Sequence, residues 1–244
     1  MRNLFNWEMK QTFSSKVFWG IGIALTAATV LMTLMPLSED AYTGFDVFIH
    51  GCNNYNSFLV FFIGIFSAVH VTGAFEERRV QAAVMAGNSR FSIMLAKLVS
   101  FSLSIAAFSV VAMTSVAVLA FSVKGVDGFD GSFLREVVMR IAGYSFVEVS
   151  FASVCFFLSM MVKNLGASVM VNLIALLGLN SLAQPLVSEE WAQDIIKFTP
   201  VGQTFMLLAD ASTKNLIVSA IVSLLGLAVT MVLSFVKFRK EELK

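Results

Sequence analysis

A few polar side chains lie inside long apolar stretches of the sequence, where they are the residues best suited to chemistry: Glu148, His70, Asn172 and Asn180. Polar groups in such stretches are rare and mark substrate or ion pathways, proton relays or contacts between helices. Glu148 can contact a cationic substrate, carry protons or pair with a basic residue such as Arg140. Pairing is the simplest expectation, because a charge in a low-dielectric interior needs a partner.

The other three residues are expected first to join helices. His70 is more often a hydrogen-bonding partner of a neighbouring helix than a proton relay. Asn172 and Asn180 fall near one face of the same apolar stretch, so we expect interhelical hydrogen bonds first and substrate contacts second.

A second set of functional candidates lies in a short charged segment, 76–90. Paired acids at its start and Gly87 near its end predict a short helix, by helix-dipole and C-cap logic, with Val80, Ala83 and Val84 on one face. The small polar pair after Gly87 can cap the next helix. A plain solvated connector needs no apolar face, so we predict contact with another protein. The residues assigned to this contact are Glu76, Glu77, Arg78, Arg79, Val80, Gln81, Val84, Gly87 and Arg90.

Motifs for nucleotide hydrolysis, metal binding and thiol chemistry are missing from the sequence. It contains no Gly-x-x-x-x-Gly-Lys-Ser/Thr loop, no His-Glu-x-x-His, no Cys-x-x-Cys and no Gly-x-Ser-x-Gly. Cys52, placed in a polar loop, and Cys155, inside an apolar stretch, are expected to be unrelated thiols. The chain itself is therefore not expected to be an enzyme or to hold a metal or cofactor.

Composition indicates which elements must position these residues. Of 244 residues, 57% are hydrophobic and 14% are charged, whereas soluble domains have about a quarter charged residues. The 24 Phe and 13 Met with only 3 Pro favour long apolar helices over the alternating strands of a barrel. A net charge of +1 gives no basic field for nucleic acid. The predicted fold class is an all-α integral membrane protein.

Six stretches are long enough to cross a hydrocarbon core of about 30 Å, which takes roughly 20 residues. They run approximately over 17–35, 58–75, 98–123, 141–162, 165–182 and 216–236. They are joined too tightly for two domains, so residues 1–244 are treated as one unit. The first stretch is taken as a retained span, because it is long for a secretory signal and no small-residue cleavage site follows it.

Two segments outside these spans carry their own predictions. Residues 3–16 mix aromatic with charged side chains, which predicts an amphipathic elbow helix at the membrane surface. The connection 183–215 breaks at Thr199-Pro200 and continues with the apolar run 201–208. That run is too short to span, so we predict a re-entrant hairpin in the outer leaflet, the alternative being a solvated amphipathic loop helix.

The distribution of basic residues predicts that both chain ends lie in the cytoplasm. With that orientation, 12 of the 17 Lys and Arg residues lie on the cytoplasmic side, which satisfies the positive-inside rule. The cytoplasmic set is Arg2, Lys10, Lys16, Arg78, Arg79, Arg90, Lys97, Lys163, Lys237, Arg239, Lys240 and Lys244. The other five are Lys124, Arg135, Arg140, Lys197 and Lys214.

This layout resembles the membrane subunits of ABC transporters of the type-2 exporter family. In that family a Glu precedes a short coupling helix, and a small-residue turn, an Arg and a Lys follow before the third span. Glu76 or Glu77, Gly87, Arg90 and Lys97 fill those places here. The elbow, the Thr199-Pro200-Val201-Gly202 connection and the basic tail from Lys237 are similar too. Asn88 and Ser89 stand where the family often has a proline.

The resemblance implies a permease in the bacterial cytoplasmic membrane that works with two copies of an ATP-binding subunit on the cytoplasmic face. ATP and Mg are then bound by that partner, and a second permease, identical or related, completes the pathway. The first and fifth spans form the dimer contact in the family. Small residues at four-residue spacing, Gly20, Ala24 and Ala28, allow such a contact and equally allow packing within the chain. Small members export peptides or protect against antimicrobial peptides, so an amphipathic peptide is the expected substrate.

Two other functions remain open from the residues. One is an ion-coupled secondary transporter that uses Glu148 and His70, although the chain lacks broken-helix signals in two matching halves. The other is a membrane scaffold or sensor subunit that transports nothing.

Overall fold

The computed structural model describes residues 2–39, 41–125, 131–187 and 197–240, and all regular secondary structure in these ranges is helical. The helices are α1 (Arg2–Phe13), α2 (Lys16–Leu37), α3 (Gly44–Ser67), α4 (Gly73–Glu76), α5 (Arg79–Met85), α6 (Arg90–Lys124), α7 (Gly131–Met161), α8 (Leu165–Val187), α9 (Pro200–Ala209) and α10 (Thr213–Lys240). A π-helical turn, Ala68–Thr72, joins α3 to α4 without a break.

Five helical segments in the described residues are long and apolar enough to cross a membrane. They are Lys16–Leu37, Gly44–Glu76, Arg90–Lys124, Phe133–Met161 and Thr213–Lys240. The fifth predicted stretch falls on α8, whose described apolar part, Leu165–Leu179, is shorter. This is the all-α architecture of a multi-pass membrane protein, as the composition predicts.

The second membrane segment begins much earlier than residue 58, the start expected from hydropathy. Thr43 and Asp46 form a capping box in which the Thr43 hydroxyl accepts from Asp46 N at 3.2 Å and the Asp46 carboxylate accepts from Thr43 N at 3.0 Å. Such a box satisfies two backbone donors and starts a helix firmly. The predicted polar loop around Cys52 is therefore wrong, because Cys52 lies in α3 and is buried. Both thiols are free and buried, as unrelated thiols should be.

The main core lies between α2, α3, α6 and α7 and is rich in aromatic side chains, among them Phe48, Tyr55, Phe101 and Phe156. In this core α3 and α6 approach each other closely. A Cβ added to Gly51 of α3 would collide with the Val116 side chain of α6, so only glycine permits this spacing.

In a second, smaller core, residues from near both ends of the chain pack against the 76–90 segment. Its buried members are Leu4, Ala74, Val80, Ile93, Met94, Ala96 and Phe238. They come from α1, α4, α5, α6 and α10, so this cluster positions the charged segment against both the first and the last described helix.

Candidate functional site

The 76–90 segment forms a sharp bend that contains α5, and we call it the 76–90 bend. Arg78 has a left-handed backbone with φ of 56°, which turns the chain from α4 into α5. At the other end Gly87 has φ of 83°, Gly87 N donates to Val84 O and Asn88 N donates to Ala83 O. This is a Schellman motif, and the predicted helix with Gly87 at its C-terminal end is confirmed.

The next helix also begins as its sequence indicates. The Ser89 side chain accepts from Ser92 N at 3.1 Å, which caps α6. A Ser at this position satisfies a backbone donor that the first helical turn leaves open. Both ends of the bend are thus fixed by local hydrogen bonds.

The apolar face of α5 packs within the chain. Val80 is 1% exposed, and Ala83 and Val84 pack against the same small core as Val80. A seven-residue helix is not stable alone, so it buries its apolar side on its own chain. Val80 therefore has no exposed surface for a contact with another protein, whereas Val84 is only partly buried and its predicted contact stays a prediction.

The opposite face of α5 is the open one. Met85 is 81% exposed, and Arg78, Ala82 and Ala86 are exposed beside it. Sequence reasoning missed Met85, although it follows Val80 by five residues, which is about 140° around a helix. The helical wheel alone could have placed it opposite the buried face.

The two acids and Arg79 of the bend have partners inside the chain. Glu76 Oε1 accepts from Leu165 N at 2.7 Å and so caps the start of α8. Glu77 pairs with Arg79 at 2.7 Å. Arg79 also lies against Gln11 of α1, whose amide oxygen accepts from Nε at 3.3 Å in the orientation that suits both groups. The remaining polar residue of this part, Gln81, donates to Phe75 O at 3.5 Å.

Arg90 connects the bend to the end of α10. Its Nη1 donates to Phe238 O at 2.8 Å and to Arg239 O at 3.2 Å, and the guanidinium lies 5.7 Å from the centroid of the Phe238 ring. The last carbonyls of a helix lack intrahelical donors and carry the negative end of its dipole. Arg90 is therefore a tether between two helices of this chain.

A buried ion pair ties α1 to α6 next to the bend. Lys97 Nζ lies 3.1 Å from Glu8 Oε1 and 3.2 Å from Glu8 Oε2, and the two side chains are 6% and 2% exposed. Neither residue was singled out as half of a pair by its sequence, because no spacing rule links positions so far apart. The helix α1 is thus held to the long apolar helix α6 by charge as well as by packing.

His70 and Asn172 make the interhelical hydrogen bonds expected of them. His70 Nε2 lies 3.3 Å from Lys97 O and 3.2 Å from Ser100 Oγ. Asn172 Nδ2 donates to Gly64 O at 3.1 Å and to Ser159 Oγ at 2.8 Å, which links α8 to α3 and α7. The side chain of Asn180 lies outside the described part of the structure.

Glu148 is fully buried in α7 and has no partner among the described residues. Neither carboxylate oxygen has a hydrogen bond there, and the Tyr144 hydroxyl and Ser150 Oγ lack one too. The expected pairing with Arg140 is wrong. Arg140 pairs instead with Glu136 at 2.9 Å, because residues four apart on a helix are neighbours whereas residues eight apart are about 12 Å apart along its axis.

The proposed residues therefore fall into two groups. Those of the bend come together with α1 and the end of α10. Those proposed for a pathway do not form one cluster, since His70 and Asn172 are used in separate helix contacts and Glu148 stands alone. The described residues contain no group of three His, Cys, Asp or Glu side chains able to hold a metal ion.

Comparison with known proteins finds no family model and no curated sequence that matches the chain. The resemblance to type-2 ABC permeases therefore stays a prediction from the sequence.

Proposed function

We propose that this chain is the membrane-spanning permease subunit of an ATP-driven ABC exporter of the type-2 class. It couples ATP hydrolysis by a separate ATP-binding subunit to export of an amphipathic substrate. The observation that carries the proposal is the 76–90 bend, which is fixed on one side by its own chain and leaves Met85 81% exposed on the other. A bend that is fixed to its own chain and has one open face can transmit a movement of the ATP-binding subunit to the membrane helices.

The contacts at the bend support six crossings with both chain ends on the same side. Glu8 near the start of the chain pairs with Lys97, and Arg90 bonds to the end of α10. Two ends that meet at one surface require an even number of crossings. Counting α8 with the five long apolar segments gives the proposed six, and the positive-inside rule favours the cytoplasm for this surface.

The segment before the last span supports a re-entrant hairpin. Thr199 caps α9 by accepting from Gly202 N at 3.1 Å, with Pro200 at the first helical position. The ten residues of α9 reach about 15 Å, half of a hydrocarbon core. Arg140 Nη1 donates to Leu207 O and Leu208 O at 3.0 Å each, which fixes the end of α9 to α7. The first half of the predicted hairpin falls largely outside the described residues.

The partners proposed are two ATP-binding subunits, which bind ATP and Mg, and a second copy of this chain or a related permease, in the bacterial cytoplasmic membrane. The open small-residue face of α2 supports the second permease: apart from the adjacent residues and backbone of α2 itself, no described atom lies within 4 Å of a Cβ added to Gly20. A peptide remains the proposed substrate.

The docking test uses a charge placed on the open face of α5. Met85→Glu is expected to reduce co-purification of an ATP-binding protein from native membranes at least tenfold and to abolish stimulation of its ATPase by the permease. The matched control is Asn6→Glu, which adds the same charge at an exposed position of α1. Equal recovery of the ATPase with both variants, or no ATP-binding protein with the unchanged chain, contradicts the proposal.

An ion-coupled carrier remains the second candidate because Glu148 is buried and unpaired among the described residues. It requires that transport survive ATP depletion, collapse with an uncoupler and fail in Glu148→Gln. Transport that stops with ATP depletion and persists with the uncoupler rejects it.

A further inference from the structure

A long apolar groove runs between α2 and α6 on the outside of the bundle, and its volume is about 530 Å³. We call it the α2–α6 groove. Phe18 and Phe108 form its floor, stacked at 4.9 Å between ring centroids and each 5% exposed. Trp19, Ile23 and Val111 form its rims and are more than half exposed. Its volume falls in the range of about 300 to 1,000 Å³ that is usual for small-molecule sites.

We propose that the α2–α6 groove binds one acyl chain of an anionic phospholipid from the leaflet on the amino-terminal side. The groove extends along α2 from Trp19 to Val30, which is about 16 Å of helix and matches half of a hydrocarbon core. A groove one leaflet deep fits a lipid chain. This inference depends on membrane insertion and is independent of the ATP-driven function.

A positive charge at one end of the groove favours an anionic lipid headgroup. Lys16 is the first residue of α2 and is exposed. It precedes Trp19 by three residues and Ile23 by seven, so it lies on the groove side of the helix. No acidic residue lines the groove. A lysine at the membrane surface therefore faces a phosphate while the chain of the same lipid enters between the helices.

Trp19 marks the level of the headgroups at that end. Its indole Nε1 donates to Phe13 O at 2.9 Å, which satisfies the polar edge and holds the ring on the rim. Tryptophan is enriched at the boundary between headgroups and hydrocarbon. Because Trp19 lies on the rim of the groove, its fluorescence reports on lipid bound there.

The test measures quenching of Trp19 fluorescence in vesicles. The full chain carries Trp7→Phe and Trp191→Phe, so that Trp19 is the only tryptophan. Vesicles contain phosphatidylcholine with increasing mole fractions of either phosphatidylglycerol or phosphatidylcholine whose acyl chains are brominated. We expect saturable quenching, with half-quenching by phosphatidylglycerol at about fivefold lower mole fraction, since one basic residue near the surface contributes that much.

Two matched pairs of variants separate the chain site from the charge. Ala27→Phe fills the groove and is expected to abolish the saturable phase, whereas Ala228→Phe, at an exposed position of α10 outside the groove, retains it. Lys16→Gln is expected to bring the two lipid curves together, whereas Lys214→Gln, an exposed lysine of α10, leaves them apart.

Three results overturn the proposal. One is quenching that rises in proportion to mole fraction and is equal for both lipids, which means bulk lipid only. Another is an Ala27→Phe variant that quenches like Ala228→Phe. The third is a Trp19 shielded from both lipids, which means that a second copy of the chain covers the groove.

Discussion

The 76–90 bend and the Glu148 region handle buried charge in opposite ways. Near the bend, Lys97 pairs with Glu8 and Arg90 binds the carbonyls of α10. Glu148 is as deeply buried as Glu8, yet neither of its oxygens has a partner within the described residues. In the first region the charged side chains hold helices together, whereas in the second the carboxyl contacts no polar partner that the structure describes.

This difference separates structural charge from charge retained for another reason. A buried polar group without a partner costs free energy, commonly a few kcal/mol. A group that makes no contact adds nothing to stability, so a role other than stability is our hypothesis for Glu148. The bend is therefore expected to fail structurally when its charges are changed, whereas Glu148 is expected to fail in function alone.

The largest expected effect comes from breaking the buried pair. Lys97→Met leaves the Glu8 carboxylate buried without its partner and is expected to lower the free energy of unfolding by about 3–5 kcal/mol. Equilibrium unfolding in mixed detergent micelles measures this. The double variant Glu8→Gln, Lys97→Met is expected to recover most of the loss, because no charge is then buried alone. A double variant as unstable as the single one contradicts an interpretation based on charge.

Arg90→Ala is expected to have an intermediate effect. It removes charge-assisted hydrogen bonds to the end of α10, which are together worth about 2 kcal/mol. Arg90→Lys keeps the charge and is expected to recover part of the loss. Cysteine cross-linking between the ends of α6 and α10 reports whether the helices separate. Unchanged cross-linking and stability in Arg90→Ala show that the tether does not hold α10.

The smallest expected effect on stability belongs to Glu148→Gln. The neutral amide keeps the shape and removes an unpaired acidic group, so the free energy of unfolding is expected to stay within about 1 kcal/mol of the unchanged chain or to rise. Transport measured in the same preparation is expected to fall if Glu148 faces the substrate. A loss of several kcal/mol instead reveals a structural partner for Glu148 and removes the contrast with the bend.

Local rules sufficed for much of the helical framework. The Schellman turn at Gly87 and the cap at Ser89 follow from residue type and position alone. The start of α3 did not follow from hydropathy, because averaging over the polar residues near Cys52 hides a helical pattern of buried positions. A capping-box search at Thr43 and Asp46 would have found it.

The sequence predicted the helix and the turn of the 76–90 bend, but it did not predict which side chains of the bend are exposed. Val80 and Met85 are both apolar residues of one short helix, and nothing local states which of them meets the rest of the chain. Packing decides it, since the small core of α1, α6 and α10 buries Val80 and leaves Met85 outside. Sequence reasoning could not distinguish the two faces for that reason.

The sequence by itself determined that the chain belongs in a membrane and is helical. Its composition is too apolar for water, its helix lengths match a bilayer, and its capping residues begin and end the bend. Only the tertiary structure decided the pairing of Glu8 with Lys97, the hydrogen bonds from Arg90 to α10 and the lack of a partner for Glu148 among the described residues. Caps and hydrophobic length act over a few neighbouring residues and so can be recognised in the chain. Charge partners are chosen by distance in space, which depends on how all the helices pack together.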